Sequence, residues 1–117
     1  MARTNSPAAR KHRKILKEAR GFKEARRKRV KAAKEALIHQ GKYAYVGRKL
    51  RKRDLRSLWI ERINAATREN DFKYSHFISG LKKANIVLDR KMLAEIAVSD
   101  PKTFDKIAEI AKESFKS

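Results

Sequence analysis

The sequence predicts an all-α protein: a long basic helical N-terminal extension, joined through a continuous helix to a small globular C-terminal helical bundle. Three observations carry this. Ala, Lys, Arg, Glu and Leu, all good helix formers, dominate the N-terminal half. The C-terminal half repeats apolar residues at helical spacing between recognisable caps. The one candidate strand, Ile86-Val87-Leu88, is short and has no partner run, so it reads as a buried connector.

Charge and apolar content divide the 117 residues in opposite senses. Residues 1–58 hold 21 Lys and Arg against 4 acids, and 11 residues of the Val, Ile, Leu, Met, Phe and Trp class. Residues 59–117 hold 11 against 9, and 18 of that class. The second half therefore has material for a core and the first does not. Two domains follow, an extension over 1–58 and a bundle over 59–117. No Pro-, Gly- or Ser-rich linker separates them, so a helix should cross the boundary. GRKLRKRDLRSLWIERINAATREN (47–70) shows the crossing, for it begins as a charge run and ends as an amphipathic helix.

The elements follow in order. Ser6 and Pro7 supply an N-cap and a first helical position. Gly21 ends that helix. A second helix begins near Lys23 and runs toward Gln40, with a bend or break at Gly41 and Gly47. Leu55, Trp59, Ile63 and Ala66 share a face of the next helix, which stops near Asn70, and Trp59 belongs to the core. Ser75 is placed to cap a helix carrying Phe77, Ile78, Leu81 and Ala84. Asp89 caps one carrying Met92, Leu93, Ile96 and Ala97. Asp100 and Pro101 open the last, whose stripe is Phe104, Ile107, Ala108, Ala111 and Phe115.

A formal net charge of +19 disfavours an isolated compact chain and calls for a polyanionic partner. The basic runs at 10–14, 26–31 and 48–53 put cations around the helix rather than along one stripe. That suits phosphates on every side, as inside a folded RNA, better than a flat duplex or membrane. An arm with so little to bury should be partly disordered without RNA and order against it. Tyr43 and Tyr45 either stack on exposed bases or pack against the bend, and Phe22 poses the same choice. On the bundle, Arg62, Asn64 and Arg68 lie on the outer side of the Trp59 helix. Lys82, Lys83, Arg90 and Lys91 would form a second RNA-binding patch if they cluster.

Other chemistry is excluded by what the chain lacks. Without Cys there is no disulfide, thiolate metal site or Cys nucleophile. His12, His39 and His76 match no metal spacing. Ser75-His76 has no evident acid partner, and neither a P-loop nor G-x-G-x-x-G is present. No metal, cofactor or small-molecule substrate is expected, and the chain does not read as an enzyme. No apolar run approaches the ~20 residues of a membrane span. The N-terminus lacks the apolar stretch of a secretory signal. A soluble intracellular protein with no membrane partner is expected.

WIERINAATREN (59–70) and YSHFISGLKKANIVLDRKMLAEIAV (74–98) closely resemble the bacterial ribosomal large-subunit protein L-twenty family. So do ARTNSPAARKHRKILKEARGF (2–22) and GKYAYVGRKLRKRDLRSLW (41–59), and the similarity covers essentially the whole chain. The resemblance implies a structural constituent of the large subunit in the cytoplasmic ribosome, which binds large-subunit ribosomal RNA, contacts neighbouring ribosomal proteins and acts early in assembly. Some members also repress their own operon through a messenger RNA that mimics the ribosomal site, which is the alternative function. Carried onto this chain, arm contacts fall on Arg3, Arg10, Lys11, His12, Arg13, Lys14, Arg26, Arg27, Arg29, Arg48, Lys49, Arg51, Lys52, Arg53 and Arg56. Bundle contacts fall near Arg62, Asn64, Arg68, Ser75, Lys82, Lys83, Arg90 and Lys91. A DNA-compacting protein is the competing reading from another class. It would bind duplex DNA of any sequence equally well.

Overall fold

The computed structural model describes residues 6–117. All regular structure among them is helical: α1 (Pro7–Glu18), α2 (Ala25–Lys28), α3 (Val30–Glu69), α4 (Tyr74–Lys83), α5 (Arg90–Ser99) and α6 (Pro101–Lys116). Internal contacts group the chain into two units, the first ending at Leu50 and the second spanning Arg51–Ser117.

In the first unit α1 starts as expected. The Ser6 side chain accepts a hydrogen bond from the Ala9 N–H at 3.1 Å, and Pro7 is the first helical residue. Gly21, at φ 91°, takes the left-handed conformation that lets the chain leave the helix. The second expected helix is divided. α2 is a single turn, and Arg29 is extended (φ −97°, ψ 125°) between it and α3. Of the described residues before Arg51, only Ala19 and Ala33 are buried. Two methyl groups do not make a core, so this unit leans on helix propensity.

α3 runs 40 residues without interruption. Gly41 and Gly47, expected to mark a bend or break, lie inside it. Each glycine costs a helix about 1 kcal/mol relative to Ala, which cooperative propagation from both sides absorbs. The expected crossing of residues 58–59 by one helix is observed.

The second unit has a true core of Ile63, Phe72, Phe77, Leu81, Leu93, Ala94, Phe104, Ala108 and Ala111, with Trp59 half-buried against it. α6 packs on both α4 and α5. The α4 contact is backbone-close, because a Cβ on Gly80 would lie 2.7 Å from the carbonyl carbon of Ala111. Phe77 and Phe104 meet there at 5.4 Å between ring centroids. The end of α3 is tied to α6. Asn70 Nδ2 donates to Asp105 Oδ1 at 2.8 Å, and Lys112 Nζ donates to the Asn70 carbonyl at 3.3 Å. Thr67, the buried polar residue, donates its hydroxyl to the Asn64 carbonyl at 3.0 Å.

Asp89 and Asp100 cap α5 and α6 through the N–H groups of Met92 and Thr103. Two other expectations are corrected. Ser75 is not a cap. Lys73 occupies that position without a side-chain bond, and Ser75 lies in the first turn of α4. The 86–88 segment is not buried throughout: Val87 is 96% exposed. Burial alternates along it: the half-buried Ile86 and Leu88 pack against the core, while Val87 faces outward.

Candidate nucleic-acid interface

The expected arm cations are on the surface, except Arg3, which lies outside the described residues. Arg10, Lys11, His12, Arg13 and Lys14 are all exposed along α1. Five consecutive residues at about 100° each span the full circumference of a helix. Arg26, Arg27 and Arg29 are exposed around α2.

Every residue of α3 from Ile38 to Leu58 is exposed. These 21 residues carry seven cations and one acid, Asp54. Burial returns at Trp59, three residues past Arg56, the last cation of the stretch. Such a helix gains nothing from a core of its own, and its side chains face solvent. Arg48, Lys49, Arg51, Lys52, Arg53 and Arg56 all lie in this stretch. The cations are less uniform around the helix than expected. Tyr43, Val46 and Leu50, spaced i, i+3, i+7, form an exposed apolar strip beside them.

The two tyrosines have different surroundings. Tyr45, 56% exposed, lies under its own Lys49, whose Nζ is 4.9 Å from the ring centroid. Tyr43, 69% exposed, pairs with His39 one turn earlier, the rings 6.1 Å apart and inclined by 22°. With the bend absent, neither packs against one. Tyr43 and His39 help line an open cavity of about 750 Å³ in the first unit, together with Phe22 and Arg26. Tyr43 and Arg26 are among the expected contacts, and His39 is not. The i, i+4 spacing of His39 and Tyr43 was the available signal, although the return of the 21–26 segment onto this face is not written in any local pattern.

On the second unit Arg62 and Arg68 are exposed and Asn64 is half-buried. Ser75, Lys82 and Lys91 are also exposed. Two of the expected contacts are already engaged. Lys83 Nζ donates to the Phe115 carbonyl at 3.3 Å and stands over its ring at 5.6 Å. Arg90 Nε donates to the Tyr74 hydroxyl at 3.0 Å. Tyr74 and Lys83 are the two ends of α4, about 14 Å apart at 1.5 Å per residue. Arg90 and the Lys82–Lys83 pair thus lie at opposite ends of that helix and do not form one tight cluster.

Among the described residues no group of His, Asp and Glu could hold a metal ion, and no helix is long and apolar enough to cross a membrane. The fold and its surface define a strongly basic protein whose regular structure, among the described residues, is all helical. Residues 2–107 match the model of the family described as Ribosomal protein L20, and the chain belongs to that family. It is 52% identical over 110 residues to the large ribosomal subunit protein bL20 of Clostridium acetobutylicum, covering 94% of this chain and 92% of that one. The bL20 of Xylella fastidiosa strain M23 is 56% identical over 105 residues, with 90% and 88% covered. That of Thermotoga neapolitana is 51% identical over 110 residues, with 94% and 93% covered. The protein is therefore a structural ribosomal protein rather than an enzyme, and its place is the cytoplasmic ribosome.

Proposed function

We propose that the chain is a constituent of the large ribosomal subunit that binds large-subunit ribosomal RNA directly and promotes early assembly. The observation that carries this is the bare helix from Ile38 to Leu58, with seven cations, one acid and no buried residue. Dense phosphate supplies the counter-charge such an element lacks. Residues 1–58 act as the RNA-penetrating extension, and residues 59–117 as a second RNA-binding body held by its own core. Neighbouring ribosomal proteins complete its surroundings in the particle.

The mechanism is electrostatic. Lys and Arg neutralise phosphates that would repel one another, and distant RNA segments can then pack. Phosphate contacts fix position, while side chains reaching bases give specificity. If about 6–10 phosphates are engaged, affinity for the RNA falls about 10³–10⁵-fold between 50 and 200 mM salt.

The test is a salt titration of the full chain against large-subunit ribosomal RNA and against a random-sequence duplex DNA of equal length. A preference for the ribosomal RNA that persists as salt rises supports the reading. Equal affinity for both would mean a shape-blind polyanion binder. Omitting the protein from a large-subunit reconstitution tests the assembly role. The alternative, repression through a messenger RNA, would use the same cations. A reporter fused to the operon leader separates it.

A further inference from the structure

The cavity of the first unit has a composition that charge neutralisation does not explain. Its wall on α3 carries His39 and Tyr43 as an offset ring pair, with Phe22 across from them on the segment after Gly21. Lys23 and Arg26 stand among the lining residues, as do Glu35 and Gln40. A site for phosphate alone needs no aromatic rings and gains nothing from a carboxylate. A site for an apolar side chain gains nothing from two cations, a carboxylate and an amide.

We infer that this cavity takes one unstacked nucleobase of the bound RNA, which lies on the Tyr43–His39 rings while Lys23 and Arg26 hold its phosphate. The inference rests on the reading of the chain as an RNA binder and names a base-reading site within it. Each part has a physical role. Every base has a π-face, so the ring of Tyr43, two-thirds exposed in the free chain, gains cover by stacking. Single-stranded bases in loops and bulges are the ones that proteins stack on aromatic side chains. The Glu35 carboxylate accepts hydrogen bonds, so it suits a donor on a base edge, such as the exocyclic amine of adenine, cytosine or guanine. Gln40 both donates and accepts, and can meet a base edge beside it. A cavity of about 750 Å³ has room for a nucleotide and its flanking backbone. Tyr45 does not line this cavity and stands beside its own Lys49 instead.

The experiment uses the full chain and two 12-nucleotide RNAs of equal charge, one of adenylates and one with abasic riboses. Native protein should bind the adenylate strand more tightly, and Tyr43→Ala should reduce that ratio by about 5- to 150-fold, the range measured for one base–aromatic stack. The salt slope should stay unchanged, because no cation is lost. Tyr43→Phe, which keeps the ring, should retain the ratio. Exposure of Tyr43 makes misfolding of these variants an unsuitable explanation, and circular dichroism checks it. An adenylate-to-abasic ratio unaffected by Tyr43→Ala, or absent from the native chain, overturns the inference while leaving RNA binding intact. Failure of the native chain to bind ribosomal RNA overturns the proposed function itself.

Discussion

Gly80 on α4 faces the backbone of Ala111 on α6 so closely that a Cβ at position 80 would overlap the Ala111 carbonyl oxygen. The neighbour is main chain in mid-helix, so no rotamer change relieves the clash. Helix α4 could admit the methyl group only by moving off α6, and Phe77 and Phe104 would lose their contact. Gly80→Ala should therefore destabilise the bundle by about 3 kcal/mol, despite the better helix propensity of Ala. Thermal unfolding followed by near-ultraviolet circular dichroism measures this. An unchanged transition would mean that the two helices are not in backbone contact.

The cap of α6 predicts an acid limb. The hydroxyl of Thr103, and then its N–H, donate to the Asp100 carboxylate and hold its pKa below the ordinary 3.8, with Lys106 adding to the effect. A carboxyl depressed in the folded state contributes stability above its unfolded value. That contribution is lost as pH falls through the lower folded value. Asp100→Asn keeps an acceptor for the Thr103 N–H but does not titrate. The variant should show a flatter dependence of Tm on pH below about 4 than the native chain. Parallel curves would show that Asp100 contributes nothing to the acid limb.

Arg51, Lys52 and Arg53 are consecutive, exposed and helical. Replacing all three by Ala removes charge while favouring the helix. If each engages a phosphate, the slope of log affinity for ribosomal RNA against log salt should become shallower by about 2–3. Lys82→Ala and Lys83→Ala should differ from each other. Lys82 is exposed, while Lys83 also holds the end of α6, so only the second should lower Tm.

The parts of the fold that were legible in the sequence are those set by local chemistry. Ser6, Asp89 and Asp100 cap the helices that their positions indicate. Phe104, Ala108 and Ala111 are buried, as their spacing requires. Failures came where a non-local energy outweighed a local preference. Lys73 rather than Ser75 begins α4 because the turn after α3 is already fixed. Asp71 is left-handed at φ 52°, and the N–H of Phe72 returns to the Thr67 carbonyl at 2.9 Å. That closure buries Phe72 and sets where the next helix starts. The exposure of the candidate site was legible as charge, since Lys and Arg of a coreless arm have nowhere to go but the surface. Its grouping was not legible. Neither the engagement of Arg90 by Tyr74 nor the shared cavity that Tyr43 and His39 line with Phe22 follows from spacing along the chain.

Gly41 and Gly47 give the sharpest test of how α3 is held. Both lie within its exposed stretch, and no atom beyond the local backbone lies within 4 Å of a Cβ built on either. Ala at these positions would therefore meet only solvent and would favour the helix by about 1 kcal/mol each. Without RNA, the double variant should show stronger far-ultraviolet helical signal than the native chain. Amide exchange between Ile38 and Leu58 should slow by about fivefold for each substitution. That outcome would mean the free helix is marginal and supported by its own propensity alone, with RNA supplying the remaining order. Unchanged exchange would mean that the stretch is already held rigid in the free chain. If the double variant gains helix yet binds ribosomal RNA more weakly, the glycines serve the complex, giving phosphate room beside the helix that a methyl group would close.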